Sequence, residues 1–350
     1  MSKFNERQIV RIFHRLVDGH HHLRDDQMLK NVIMYLARYF SAALIMPNLQ
    51  PPVITTKDVA AYCKRILACL DPGTVFTPLM TTYLTENTDA NDIEAGFMDK
   101  IFIAAKWYPP HGTTNSTHGV LDINKVDKVL SRMEKIRMTL AIHGEMSPHP
   151  EIDIFDSEKI FIEKKLIPII KRYPDLKISL EHITTKEACD FIKENSKNIV
   201  GTVTAHHLIL NRNDLLVGGL HPDVYNMPIV KRRSHMLAIQ QAVIEDEESF
   251  ILGTDSAPHT IENKYKDCGC AGSFTAPTAI PAYYKFFVDN NITHKFQKFA
   301  SNNFCKFHGI EVPEKNVEVF EEDWIVPDNC HGVRPLFFNQ TMKYKVKLLS

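Results

Sequence analysis

From about residue 17 to residue 259 the chain alternates short apolar, β-rich segments with amphipathic stretches, and this alternation restricts the fold more than any other feature. Strands are expected near 17–23, 41–47, 75–84, 101–108, 139–145, 177–184, 199–205 and 250–255. Helical patterns lie between and after them, near 26–38, 57–70, 90–98, 122–137, 157–172, 185–195, 231–246, 278–289 and 294–307. Parallel neighbours need a crossover between them, and eight βα repeats close naturally into a barrel. The expected fold class is α/β, a TIM-like (β/α)8 barrel; an open doubly wound sheet is the competing arrangement. Such a barrel absorbs 350 residues as one unit. The organisation expected is therefore a single domain over 1–350, with a short N-terminal extension (1–14) and a wrapping tail from about 310 to 350.

Apolar residues at 44% and charged residues at 24% suit a globular chain with a sizeable core. The 41 Lys and Arg balance 42 Asp and Glu, so no net field draws nucleic acid or an anionic membrane, and a small-molecule substrate fits better. No stretch approaches the ~20 apolar residues of a membrane span, and a cytoplasmic location is expected. The seven scattered cysteines read as reduced thiols. Cys268-Gly-Cys270, with no second pair, reads as a tight loop better than as a zinc site.

Polar residues interrupt the apolar strands at their C-terminal ends, the face on which barrels carry active sites. At the end of the first strand, Asp18-Gly-His-His-His-Leu-Arg-Asp25 puts His20, His22 and Arg24 on one face and His21 on the other. His20 and His22 can grip one divalent ion, or be a satisfied pair in the core. Lys106 closes the apolar fourth strand. A buried ammonium must be paired, neutralised or modified, so Lys106 is either a rim lysine with its head in water or an amine that takes up CO₂ as a metal-bridging carbamate. His143 and His182 end the fifth and sixth strands at matching heights. Asp255 ends the eighth, where Pro258 opposes a helix-capping role and favours a cation partner. The long loops 109–119 and 256–277 leave the same face.

Taken in order, the motifs His22-Leu-Arg-Asp25, Met46-Pro-Asn-Leu49, Ala105-Lys-Trp-Tyr-Pro109, Thr113-Thr-Asn-Ser116 with His118-Gly119, His143-Gly-Glu145, Glu181-His-Ile-Thr-Thr185, Gly253-Thr-Asp-Ser-Ala-Pro-His259 and Cys268-Gly-Cys-Ala-Gly272 closely resemble the amidohydrolase superfamily. Within it, they resemble the single-domain bacterial-type dihydroorotases. The resemblance runs from about Asp18 to about residue 310. It departs from the commoner pattern at His21 and Trp107, both expected to point away from the metals.

The resemblance implies a metal-dependent hydrolase barrel with two Zn²⁺ ions, or other divalent metals, per subunit. His20 and His22 would hold one ion, His143 and His182 the other, with N6-carboxylated Lys106 bridging them. Asp255 would complete the ligand set of the first ion and serve as general base and acid toward the bridging hydroxide. It further implies reversible hydrolysis of L-dihydroorotate to N-carbamoyl-L-aspartate, a step of de novo pyrimidine synthesis. Arg24, Asn48 and His259 would bind the substrate carboxylate, Thr113 and Thr114 would sit on a closing loop, and Met227, Ala271 and Gly272 would complete the substrate contacts. A homodimer is the expected assembly. Two other readings stay open: another cyclic amidohydrolase of the hydantoinase or allantoinase kind, and a catalytically silent barrel serving as a scaffold.

Overall fold

The computed structural model describes residues 9–349. Residues 1–8 of the expected extension lie outside the described residues. Eleven strands are present among those described: β1 (Ile9–His14), β2 (Val17–His21), β3 (Ala42–Ile45), β4 (Thr77–Tyr83), β5 (Ala104–Trp107), β6 (Thr139–His143), β7 (Lys177–Glu181), β8 (Ile199–Val203), β9 (Phe250–Leu252), β10 (Asn316–Ile325) and β11 (Thr341–Leu348). Strands β2 to β9 form one sheet in sequence order, each parallel to the next. They are the eight strands expected from the alternation, each shorter by a few residues at its ends, where fraying and side-chain capping take over from ladder bonds.

Closure comes from bonds just beyond the last strand. The Asp255 N–H donates to the His20 carbonyl at 2.9 Å and the His22 N–H to the Ser256 carbonyl at 3.0 Å. Gly19 lets the seam draw together, because a Cβ there would lie 2.8 Å from the Leu252 carbonyl oxygen. The barrel is filled and wrapped by apolar side chains in one large buried cluster, with Leu36, Ile142, Leu180 and Leu252 fully buried.

Helices alternate with the strands, at Asp26–Ala37, Thr56–Ala68 and Ala90–Met98 in the first half. The second of these starts on a full capping box, in which the Thr55 side chain accepts from the Asp58 N–H while Asp58 accepts from the Thr55 N–H. Short helices at Ala205–Ile209, Arg212–Leu216 and Ile261–Tyr265 fall where the sequence reading placed no helix, the last of them within the loop 256–277. Each spans only five residues, too few for a 3.6-residue period to show.

The tail, read from the sequence only as a wrapping extension, contains regular strands. Strands β10 and β11 are antiparallel, and β1 pairs with β10 to make a three-stranded sheet. Its inner face carries Phe13, Val317, Val319 and Tyr344, all buried. It docks on the helix Ala279–Asp289, where the Tyr344 ring meets Tyr284 edge-on at 5.2 Å and Phe13 meets the same ring at 5.6 Å. The alternation behind β10 lasts only from Val317 to Phe320 before the acidic run 321–323 hides it. No described helix is long and apolar enough to cross a membrane.

Candidate active site

Strand register sets the heights at the mouth. Lys106 pairs in register with Tyr83 on β4 and with Ala141 on β6, and His143 pairs with Glu181 on β7. The chain then turns sharply at the strand ends. His182 and Asp255 have φ of +42° and +44°, a conformation that side chains other than glycine rarely adopt. Both are held there: the His182 N–H donates to the Thr202 hydroxyl at 2.6 Å and Asp255 is fixed by its bond to His20.

His20, His22 and Asp255 converge, all buried, with potential ligand atoms within 4.8 Å of one another. The His20 Nε2 lies 3.3 Å from the His22 Nε2 and 3.4 Å from an Asp255 oxygen, which is 3.1 Å from the His22 Nε2. The outer nitrogens are engaged elsewhere. His20 Nδ1 meets the Glu181 carboxylate at 2.7 Å, and His22 Nδ1 meets the Asn48 side-chain oxygen at 2.8 Å. Both partners are acceptors, so the protons belong on Nδ1 and both Nε2 atoms turn lone pairs inward. Burial, reinforced by neighbouring cations, holds both imidazoles far below the ordinary histidine pKa and therefore neutral. Two lone pairs and a carboxylate facing one another with no donor between them repel unless a cation lies among them, and the N₂O donor set suits a divalent metal.

The second group lies beside the first. The His143 and His182 rings are 4.6 Å apart, and His182 is 4.9 Å from His20. His143 Nε2 meets Glu145 at 2.8 Å, which leaves Nδ1 as its free lone pair. Burial is the main cause that lowers the pKa of His143 and of His182. Two of the buried nitrogens that have no hydrogen-bond partner among the described residues lie here, His182 Nδ1 and Lys106 Nζ. Lys106 is fully buried, and burial lowers its amine to about 8 against the opposing pull of Glu181 and Asp255. A rim lysine with its head in water does not describe it. Burial lifts the Asp255 carboxyl to about 6, while His206 and His143 pull it back.

Arg24 projects into the mouth. Its Nε donates to the Pro258 carbonyl at 3.2 Å, its Nη2 lies 3.1 Å from His259 Nε2, and its Nη1 is buried without a partner. Neither Asp25 nor Asp26 forms a rim ion pair with Arg24; Asp25 pairs with Arg65 at 2.7 Å. His259 is kept neutral by burial and by Arg24, its pKa lowered to about 3. Its Nε2 is also 3.0 Å from the Ala271 carbonyl; a single neutral nitrogen serves either that acceptor as donor or Arg24 as acceptor.

The loop after β5 folds over the mouth. The Asn48 side-chain amide donates to the Thr114 carbonyl at 2.9 Å, and the Asn115 amide donates to the Asn48 carbonyl at 2.9 Å. Thr113, Thr114, Met227, Ala271 and Gly272 line the cavity together with Arg24, Asn48, His22, His143, His182 and Asp255. What remains is ≈ 20 Å³, room for about one water. Clefts of ≈ 730 and ≈ 680 Å³ open on the outer surface, and neither contains any of the residues singled out from the sequence.

His21 and Trp107 turn away from the cluster. His21 is buried at the β2–β9 seam on Asp18, at 2.8 Å, and Trp107 donates from its indole to the Val120 carbonyl at 3.0 Å. The sequence reading assigned no role to Glu181, Glu145 or Tyr108. The two carboxylates orient ligand-type histidines, and the Tyr108 hydroxyl lines the cavity without a partner. Glu181-His182 and His143-Gly-Glu145 carry a signal for the first two, since an imidazole that binds through one nitrogen needs an acceptor at the other.

Among known proteins, the chain is 43% identical over 330 residues to a dihydroorotase of Parasynechococcus marenigrum, covering 94% of this chain and 96% of that one. It is 44% identical over 344 residues to a dihydroorotase of Escherichia fergusonii, covering 97% and 98%. Among solved structures, dihydroorotase from Campylobacter jejuni superposes with a TM-score of 0.89 at 33% identity over 98% of both chains. The Saccharomyces cerevisiae dihydroorotase in complex with 5-fluoroorotic acid gives 0.88 at 26%, over 96% and 99%. The L-hydantoinase of Arthrobacter aurescens gives 0.79 at 12% identity, a likeness of fold alone. No family model matches the chain.

Proposed function

The chain belongs to the dihydroorotase family, and from that premise we propose a residue-level account of how it interconverts L-dihydroorotate and N-carbamoyl-L-aspartate in pyrimidine synthesis. The observation that carries the account is the inward convergence of the His20 and His22 lone pairs on Asp255 beside the orphaned amine of Lys106. His20, His22 and Asp255 would hold one divalent ion, and His143 and His182 would hold a second. Lys106, its amine made reactive by burial, would add to CO₂ with loss of a proton, and the resulting carbamate would supply anionic oxygen ligands to the ions. Zinc suits this donor set, as do cobalt and manganese. When bound, the ions polarise the ring amide carbonyl and lower the pKa of the attacking water.

The side chains supply the rest. Asp255 accepts the water's proton and returns it to the departing ring nitrogen, work suited to a carboxyl whose pKa burial brings toward neutrality. Arg24 offers its free Nη1 to the substrate carboxylate, joined by Asn48 and His259, so that the amide carbon stays over the nucleophile. Ala271, Gly272 and Met227 contribute main-chain contacts, and Thr113 and Thr114 exclude water as the loop closes. We read the enzyme as a single-domain chain, a reading that the continuous eight-stranded sheet supports, and as a cytoplasmic homodimer, which the family resemblance supports.

Metal analysis coupled to a dihydroorotate assay tests the account. Lys106→Ala prepared with zinc and bicarbonate is expected to lose bound metal and activity together; wild-type metal content with full activity would overturn the bridging role. A hydantoinase-type specificity would appear as hydantoin turnover that survives loss of Arg24.

A further inference from the structure

Lys264 lies on the short helix Ile261–Tyr265, in the loop that leaves β9, and is only 5% exposed. Its ammonium has three protons and uses all three on main-chain carbonyls: Tyr225 at 2.9 Å, Cys270 at 2.9 Å and Gly272 at 2.8 Å. Those carbonyls belong to two segments, 225–227 and 270–272, whose Met227, Ala271 and Gly272 line the cavity. A further bond joins the segments, from the Gly272 N–H to the Tyr225 carbonyl at 3.0 Å.

The glycines of Cys268-Gly-Cys-Ala-Gly272 match this arrangement. A Cβ on Gly269 would lie 2.6 Å from the Lys264 carbonyl oxygen, and Gly272 has φ of +134° with Ala257 against it. The Cys270 carbonyl and the Ala271 N–H are two ends of one peptide group. Its oxygen is on Lys264, and its N–H donates to no described residue. A cation on the carbonyl end makes the N–H end a stronger donor, because hydrogen bonds in series polarise one another and the effect is largest away from water.

We propose that Lys264 is a positioning residue for the substrate carboxylate: it clamps the 270–272 main chain in place and, through the Cys270–Ala271 peptide, turns the Ala271 N–H into a charge-reinforced donor to that anion. This rests on the carboxylate placement proposed above. Lys264 touches neither the substrate nor the metal ligands, so its contribution belongs in binding of the carboxylate and not in the chemical step. Burial lowers its ammonium to about 8, which leaves it charged at neutral pH.

The metal-loaded enzyme tests this by calorimetry with orotate and with uracil, the same ring without its carboxylate. Lys264→Gln is expected to weaken orotate by at least about tenfold and uracil by less than about threefold, with KM raised and kcat nearly kept. Gly269→Ala, which pushes on the Lys264 backbone, is expected to show the same selective loss. Unchanged orotate affinity in either soluble variant, or equal losses for both rings, would overturn the proposal. Arg24→Ala separates the two layers of the argument. An orotate preference that survives there sinks the carboxylate placement; a preference lost there but intact in Lys264→Gln sinks the role of Lys264 alone.

Discussion

The His20 Nδ1 and the Glu181 carboxylate meet at 2.7 Å although 161 positions separate them in the chain. The same carboxylate accepts from the Thr202 hydroxyl at 2.9 Å, and that hydroxyl accepts from the His182 N–H at 2.6 Å. One chain of bonds thus orients a histidine of each proposed metal group.

Glu181→Gln keeps the shape but lets the side chain offer either end to His20. Because partners of ligating histidines fix their tautomer, metal affinity is expected to fall by about 10–100-fold. Competition with a chelator measures it; unchanged affinity would remove Glu181 from the site.

Asp255→Asn removes the proton carrier. Loss of general acid–base catalysis predicts a kcat lower by about 10²–10⁴-fold on dihydroorotate. Orotate binding to the metal-loaded variant should persist, as judged by calorimetry. A variant within tenfold of wild type in kcat at full metal loading would assign the proton transfer elsewhere.

Arg24→Lys tests the shape of the donor and not only its charge. Lysine retains a cation but cannot offer two parallel N–H bonds to a carboxylate, so KM for dihydroorotate should rise by about tenfold while kcat changes less. Steady-state kinetics in both directions check this, and equal KM values would mean that the carboxylate lies elsewhere.

His207 offers a test of stability against pH. It is buried and neutral, with Nε2 on the Pro228 carbonyl at 2.8 Å, and burial lowers its pKa to about 3. A depressed folded-state pKa means that the unfolded chain binds the extra proton. Stability is therefore complete above the ordinary histidine pKa of ~6.5 and is lost as pH falls toward 3, at up to about 1.4 kcal/mol per pH unit. Denaturant melts of metal-free wild type and His207→Gln between pH 7 and 4 should differ in slope by about one proton. Parallel curves would show that His207 titrates normally.

The eight barrel strands were legible because each is a local apolar run between turn signals, and the polar residues closing those runs marked the mouth. The short helices 205–209 and 261–265 were not, since five residues hold little more than one turn. The tail sheet was missed for a different reason. The acidic run 321–323 hides the alternation of β10, and of its two partners β1 lies some three hundred residues away.

Sequence alone placed the candidate ligands, because strand alternation puts His20 and His22 on one face whatever surrounds them. It could not settle which nitrogen of each ring faces inward, that Lys106 finds no partner, or that Lys264 ends on three carbonyls. Periodicity is a property of neighbouring residues along the chain. The direction of a lone pair, the solvation of an amine and the satisfaction of a buried ammonium depend on acceptors such as Glu181, Asn48 and Tyr225, which only closure of the barrel brings within reach.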